Sequence, residues 1–111
     1  MYSFEFYLKF SASGLSIVAV MSRIAKNIVF SGRVQGVGFR FTAQRIALRY
    51  ELAGFVRNLP AGAVQMLIQG SAEDIDDCLR DISENFAGYI RDTKIEDAAI
   101  SSEHTGFEIA F

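Results

Sequence analysis

The 111-residue sequence contains no tryptophan, and cysteine, histidine and proline occur once each, as Cys78, His104 and Pro60. A single cysteine excludes a disulfide framework within the chain and excludes four-cysteine zinc sites. One histidine beside it leaves too few ligands for a Cys/His metal cluster and little material for a Cys–His nucleophile pair. The sequence therefore predicts no Cys/His metal site, and its cysteine content does not indicate an oxidising compartment.

The formal charge is only −2, which excludes a strongly basic nucleic-acid binder. The charges are nevertheless unevenly distributed along the chain. Residues 21–60 carry seven Lys and Arg against one acidic residue, whereas residues 61–111 carry three against eleven. Such asymmetry indicates an anionic ligand for the basic segment, although two solvated faces of opposite sign explain it equally well.

The first twenty residues form a segment of their own. Residues 2–10 alternate between aromatic or apolar and polar side chains, which predicts a strand, and residues 11–14 form a turn signal before a second apolar stretch. The first eight residues carry no positive charge, and the apolar stretch is too short to span a bilayer. We expect residues 1–20 to be an extension that folds as a hairpin. The chain is expected to be a cytoplasmic monomer, and this hairpin could pair with a second copy of it. The functional domain is then residues 21–111, with Met21 as an alternative start.

The remaining residues alternate between strand and helix patterns. The predicted elements are a strand at 24–34, a helix at 39–50, a hairpin of strands at 52–58 and 63–69, a helix capped by Ser71, and strands at 94–100 and 107–111. Cys78 lies on the apolar stripe of the second helix and is expected to be a buried core thiol. This order predicts an α+β fold, the ferredoxin-like split βαβ sandwich (βαββαβ), in which two helices cover one face of an antiparallel sheet.

A glycine-bearing loop joins the first predicted strand to the first predicted helix, and residues 31–40 read SGRVQGVGFR. Backbone N–H groups in such a loop converge on an anion, and the helix N-terminus adds a partial positive charge. Arg40 is placed to donate two hydrogen bonds to a phosphoryl group. The glycine pair alone is a weak signal, since an exposed turn explains it too, and the loop lacks the Lys-Ser/Thr of a P-loop and the third glycine of a dinucleotide site.

Two longer motifs make the signal specific. The stretch GRVQGVGFR at 32–40 closely resembles the first motif of the acylphosphatases, and GFVRNLPAGAV at 54–64, followed by Gly70, resembles their second. The resemblance covers residues 23–111, and the predicted order of elements agrees with it. It implies hydrolysis of acyl phosphates to a carboxylate and inorganic phosphate, without a metal or cofactor.

The resemblance also implies roles for single residues. Arg40 matches the phosphate-binding arginine of the family, and Asn58 matches the asparagine that orients the attacking water. The family's cradle of loop amides maps onto Gln35, Gly36, Val37, Gly38, Phe39 and Arg40. We expect the second strand to pair beside the first, which would bring Asn58 towards the loop.

The implied reaction also raises the question of which groups transfer protons. A carboxylate leaves readily, so the reaction needs no strong general acid. Because an amide does not accept a proton at neutral pH, our hypothesis is that a phosphate oxygen of the substrate accepts the proton of the attacking water.

His104 is expected to be a solvated loop residue, and Arg33 and Arg57 are expected to raise the local positive potential.

Two other classes of function compete with this interpretation. RNA-recognition domains share the architecture but stack bases on aromatic side chains of the central strands, and here the first strand has only Phe30 and the third has none. A phosphate-sensing module without turnover, or a domain serving a larger carbamoyl-transfer enzyme, would use the same loop. We expect a small acyl phosphate as the ligand, and neither a nucleic acid nor a membrane as a partner.

Overall fold

The structure, a computed structural model, describes residues 23–111. These residues form five strands and two helices, namely β1 (Arg23–Gly32), α1 (Phe39–Arg49), β2 (Ala53–Asn58), β3 (Val64–Ser71), α2 (Ala72–Asn85), β4 (Ile90–Ala98) and β5 (Phe107–Ala110). A short 3-10 turn at Pro60–Gly62 joins β2 to β3. The hairpin predicted for residues 1–20 and the start predicted at Met21 lie outside the described residues.

The five strands form one sheet in the order β4-β1-β3-β2-β5. Neighbouring strands are antiparallel, except that β5 runs parallel to β2 at one edge. The four longer strands and two helices confirm the predicted α+β sandwich, and β5 adds a short edge strand.

The prediction that the second strand pairs beside the first is wrong. β3 lies between them, so that Met66 is opposite both Ile28 of β1 and Val56 of β2. Three residues of this central strand, Val64, Met66 and Ile68, are completely buried. The crossover through α1 consequently connects two parallel strands that have a third strand between them.

The helices pack on one face of the sheet through apolar stripes at helical spacing. α1 and α2 bury seven side chains there: Phe39, Ala43, Ile46, Ala47, Ile75, Cys78 and Ile82. The predicted cap of α2 is confirmed, since the backbone N–H of Asp74 donates to Ser71 Oγ at 3.1 Å. The hydroxyl of Tyr50 donates to Asp81 Oδ2 at 2.5 Å and connects the C-terminal end of α1 to α2. Neither described helix is long and apolar enough to cross a membrane.

The largest difference in element boundaries concerns β4, which begins at Ile90 rather than at residue 94. Its pairing with β1 runs from Gly32 opposite Ile90 to Ala25 opposite Ala98. Residues 91–97 are all exposed, because β4 is an edge strand beyond the cover of the helices. A hydrophobic pattern does not reveal where such a strand begins, since backbone hydrogen bonds rather than burial hold it in place.

The sheet requires a very close backbone approach at Gly54, where β2 passes β3. Gly54 has a φ of 138°, and a Cβ atom there would overlap the carbonyl oxygen of Leu67. Its N–H also donates to the carbonyl oxygen of Gly106 at 2.9 Å. The position therefore excludes any side chain on both conformational and steric grounds.

We expect Gly54→Ala to lower the free energy of unfolding by at least about 3 kcal/mol, because β2 must move away from β3 to admit the methyl group. Urea denaturation of the full chain measures the loss. Gly88→Ala is the matched control, since Gly88 has a φ of 96° but open space around its Cα. That control is expected to lose only about 1 to 2 kcal/mol, from backbone strain alone. Equal losses in the two variants would contradict a steric role for Gly54.

Cys78 is completely buried, as predicted, and burial raises the pKa of its thiol from 9.0 to about 12, with the Asp81 carboxylate contributing in the same direction. The unfolded chain therefore ionises this thiol at a pH where the folded chain keeps it protonated, so stability falls as the pH rises above 9.0. Between about pH 7 and about pH 10, we expect the wild type to lose roughly 1.4 kcal/mol more free energy of unfolding than Cys78→Ala. Urea denaturation at both pH values measures this difference, and equal losses would contradict it.

Candidate active site

Two buried side chains hold the glycine-bearing loop between β1 and α1. Val34 at its start and Phe39 at its end are each no more than 2% exposed, while Gly36, Val37 and Gly38 between them are exposed. The ring of Phe39 packs against those of Phe30 and Phe86, at centroid distances of 5.0 and 4.5 Å. The loop therefore projects from the core as a short arch with both ends anchored.

The backbone of this arch is shaped to leave its N–H groups available. Gly36 and Gly38 have φ angles of 80° and 79°, in the left-handed region that favours glycine. Gly38 is also the N-cap of α1, and no side chain caps that helix end. Among the described residues, none of the N–H groups between Arg33 and Thr42 donates to a backbone oxygen. The N–H of Thr42 donates to the carbonyl oxygen of Gly38 at 3.1 Å. The amides in between form the kind of donor group that binds phosphate at a helix N-terminus.

The arch, the first turn of α1 and the ends of β2 and β5 enclose a pocket of about 340 Å³. Its lining consists of Val34, Gly36, Gly38, Phe39, Arg40, Phe41, Asn58, Ile109 and Phe111. This volume lies at the lower end of the range for small-molecule pockets, about 300 to 1,000 Å³. The pocket suits a compact anion with a modest substituent.

Arg40 is the one charged residue in this lining. Its guanidinium Cζ lies 5.4 Å from the ring centroid of Phe111. The ion pairs within residues 23–111 join Lys26, Arg49 and Arg80 to aspartates of β4 and α2, and Arg40 takes part in none of them. Among the described residues, no carboxylate side chain therefore pairs with the guanidinium group of Arg40.

Asn58, the last residue of β2, faces the same pocket. Strand alternation puts Asn58 on the face of Val56, which is the helix-covered face, and turns Arg57 to the opposite one. The N–H of Leu59 donates to the carbonyl oxygen of Ala63 at 2.8 Å and closes the turn that follows. Asn58 thus approaches the arch from the end of the sheet, although β3 separates its strand from β1.

Gln35 connects these two parts of the site through its side chain. Its Nε2 donates to the carbonyl oxygens of Leu59 and Ala63, each at 2.8 Å. One amide group therefore holds the arch against the turn that follows Asn58. The sequence pointed only to the backbone amide of Gln35, because no local pattern reveals bonds to residues 24 and 28 positions away.

The structure brings together Arg40, Asn58, Gly36, Gly38 and Phe39 in the pocket lining, while Gln35 and Val37 lie in the arch beside it. The sequence missed Phe41, Ile109 and Phe111, which complete the lining. No signal in the sequence marked them, since exposed phenylalanines and a strand isoleucine are common in any chain.

Three other residues considered in the sequence lie away from the pocket lining. The guanidinium of Arg33 lies 5.4 Å from the ring centroid of Tyr89. Arg57 Nε donates to Gln65 Oε1 at 2.7 Å on the open face of the sheet. His104 lies in the loop before β5, as predicted, but it is half-buried, with its ring 5.9 Å from that of Phe55. In residues 23–111 no three His, Cys, Asp or Glu side chains cluster as metal ligands would.

The pocket therefore combines backbone donors, one guanidinium group and one carboxamide, and no acidic or histidine side chain contributes to its described lining. Such a set can neutralise and orient a phosphoryl group, and the carboxamide can both donate to and accept from a water molecule. It supplies no side chain that accepts a proton at neutral pH.

Comparisons with known proteins agree with this arrangement. The profile of the acylphosphatase family matches residues 26–109. An acylphosphatase of Nitrobacter hamburgensis is 38% identical over 82 residues, which cover 74% of this chain and 82% of that protein. An acylphosphatase of Oceanobacillus iheyensis is 32% identical over 93 residues, covering 82% of this chain and all of that protein.

The fold agrees as well. The crystal structure of acylphosphatase from Bacillus subtilis superposes with a TM-score of 0.72 at 27% identity, covering 79% of this chain and 99% of that one. The family profile spans both motif stretches and all five strands in part or whole. The chain belongs to the acylphosphatase family of enzymes.

Proposed function

We propose that this chain hydrolyses acyl phosphates with Arg40 and the arch amides of residues 35–40 binding the phosphoryl group and Asn58 orienting the water. The observation that carries the proposal is that Arg40, Asn58 and the two arch glycines line one pocket. The membership of the chain in the acylphosphatase family supports the reaction, and the pocket chemistry supports the assignment of roles.

In the proposed reaction the oxygen of the bound water attacks phosphorus. The bond between phosphorus and the bridging oxygen breaks, and the acyl group leaves as a carboxylate with the electron pair of that bond. The water oxygen becomes the fourth oxygen of inorganic phosphate. Charge builds on the phosphoryl oxygens and the bridging oxygen, where Arg40 and the amides stabilise it.

The proton of the attacking water needs an acceptor. Asn58 is an amide and does not take it, and no residue of the described pocket lining has a carboxylate or imidazole side chain. Our hypothesis remains that an oxygen of the substrate phosphoryl group accepts the proton. The low pKa of the departing carboxylate makes a general acid unnecessary.

We further propose, from the sequence, that the enzyme acts as a cytoplasmic monomer on a small-molecule substrate and without a nucleic-acid partner. The assignment of residues 21–111 as its catalytic domain belongs to the same proposal. Size-exclusion chromatography with light scattering on the full chain measures the oligomeric state.

We expect Arg40→Gln and Asn58→Ala each to lower kcat by at least about 100-fold, since each removes a group that stabilises or orients the reacting atoms. Release of inorganic phosphate from benzoyl phosphate measures turnover in the purified full chain. Arg40→Gln is also expected to weaken the binding of inorganic phosphate, measured by calorimetry, whereas Asn58→Ala retains it.

His104→Ala is the control for this experiment, because His104 lies in the loop before β5 and not in the pocket lining. It is expected to keep both kcat and the pH profile of the wild type. If a step in the pH profile of the wild type disappears in this variant, the substrate-oxygen hypothesis is contradicted. Phosphate binding by a wild-type chain that shows no turnover would overturn the enzymatic proposal in favour of a phosphate sensor.

We expect Gln35→Ala to lower kcat by about tenfold while leaving phosphate affinity within about twofold, because the turn after Asn58 loses two hydrogen bonds of roughly 1 kcal/mol each. The split between kcat and affinity identifies Gln35 as a positioning residue. Gln69→Ala is the matched control, since buried Gln69 also makes two backbone bonds, to the N–H and the carbonyl of Ser101. That variant should lose stability without losing kcat, and an equal kcat loss in both variants would overturn the role of Gln35.

A further inference from the structure

Two large apolar side chains stand exposed at the mouth of the pocket. Phe41 is 71% exposed and Phe111 is 99% exposed, and both line the same pocket as Arg40. Single exposed apolar residues are ordinary on a protein surface. Two exposed phenylalanines that line the same pocket as Arg40 and Asn58 are less usual, because exposed apolar surface beside a polar site marks a binding surface.

The two rings reach the pocket from different elements. Phe41 follows Arg40 in the first turn of α1, and Phe111 follows β5, which runs parallel to β2 at the edge of the sheet. Ile109 of β5 is opposite Val56, and Ala110 is opposite Arg57. Ile109 and Phe111 therefore share a face of β5, next to the end of β2 that carries Asn58.

Phe111 also lies close to the charged group of the site. Arg40 Cζ is 5.4 Å from its ring centroid, a distance at which a guanidinium attracts an aromatic face. In an acyl phosphate, one bridging oxygen separates the phosphorus from the carbonyl carbon. A phosphoryl group bound by Arg40 therefore leaves its acyl group within reach of this ring.

The charges of the lining restrict the acyl group further. Arg40 has the one charged side chain among the described lining residues. In the proposed function, the phosphoryl group engages it. An acyl group carrying its own carboxylate or phosphate would meet phenylalanine and isoleucine instead of a second cation. Such a charge would find no partner there, whereas an apolar acyl group gains by covering the apolar surface of the two exposed rings.

We propose that Phe41, Ile109 and Phe111 form an acyl subsite that selects acyl phosphates with an aromatic acyl group. This inference rests on the proposed function, since the acyl group is bound only if the phosphoryl group occupies the arch. Aromatic rings stack on or meet other aromatic rings edge to face, so two phenylalanines favour a benzoyl-type group over a methyl group. Phe41 and Phe111 are thus specificity residues and take no part in the bond-breaking step.

The experiment compares kcat/KM for benzoyl phosphate and acetyl phosphate in the full chain, in Phe41→Ala and in Phe111→Ala. Each variant is expected to lower the ratio of benzoyl to acetyl kcat/KM by about tenfold relative to the wild type, as loss of apolar contacts in a substrate pocket does. The intrinsic reactivities of the two substrates are the same for every variant and cancel in this comparison. Phe41→Leu keeps an apolar side chain and is expected to lower the ratio less than Phe41→Ala.

Leu48→Ala is the matched control, because Leu48 is a 51% exposed apolar residue of the same helix and lies outside the pocket lining. It is expected to leave the ratio unchanged. A ratio that stays constant in both phenylalanine variants, including an equal loss on both substrates, overturns the acyl subsite while the proposed function stands. A wild-type chain that hydrolyses neither substrate overturns the proposed function and the subsite with it.

Discussion

The packing of Phe39 between Phe30 and Phe86 is the interaction on which the site depends. Phe39 is the first residue of α1, so its burial places the N-terminus of that helix over the end of the sheet. Val34 is buried at the other end of the loop, and the residues between Val34 and Phe39 lie outside the core. The arch amides face solvent for that reason, and Arg40, one residue further along, enters the pocket instead of the interior.

Carboxamide side chains connect the loops of this protein to its sheet. Gln35 bonds two carbonyl oxygens of the turn after β2, and Gln69 bonds both backbone groups of Ser101 on the opposite side of the sheet. A carboxamide can donate and accept without carrying charge, so it satisfies buried backbone groups at little desolvation cost. In the pocket beside Gln35, Arg40 therefore has the one charged side chain among the described lining residues, and no acidic side chain lines the pocket with it.

The sequence predicted the individual elements better than it predicted the order of the strands in the sheet. Periodicity located α1, β2 and β3 to within about two residues, because these elements bury regular apolar stripes. The order of the strands was wrong for β2, since β3 pairs with both β1 and β2, and hydrophobic periodicity does not reveal which strands pair. The start of β4 was missed because an exposed edge strand has no apolar pattern to detect.

The resemblance to the acylphosphatase motifs, which are contiguous in the chain, was sufficient to select Arg40, Asn58 and the glycine-bearing loop as candidates, and their proposed roles stay a prediction. Cys78 and the Ser71 cap followed from helical spacing and capping preferences. The hydrogen bonds of the Gln35 side chain and the positions of Phe41, Ile109 and Phe111 in the pocket lining are apparent only in the tertiary structure. They join residues that are tens of positions apart, and such contacts arise from the way α1, the turn after β2 and the end of β5 converge at one end of the sheet.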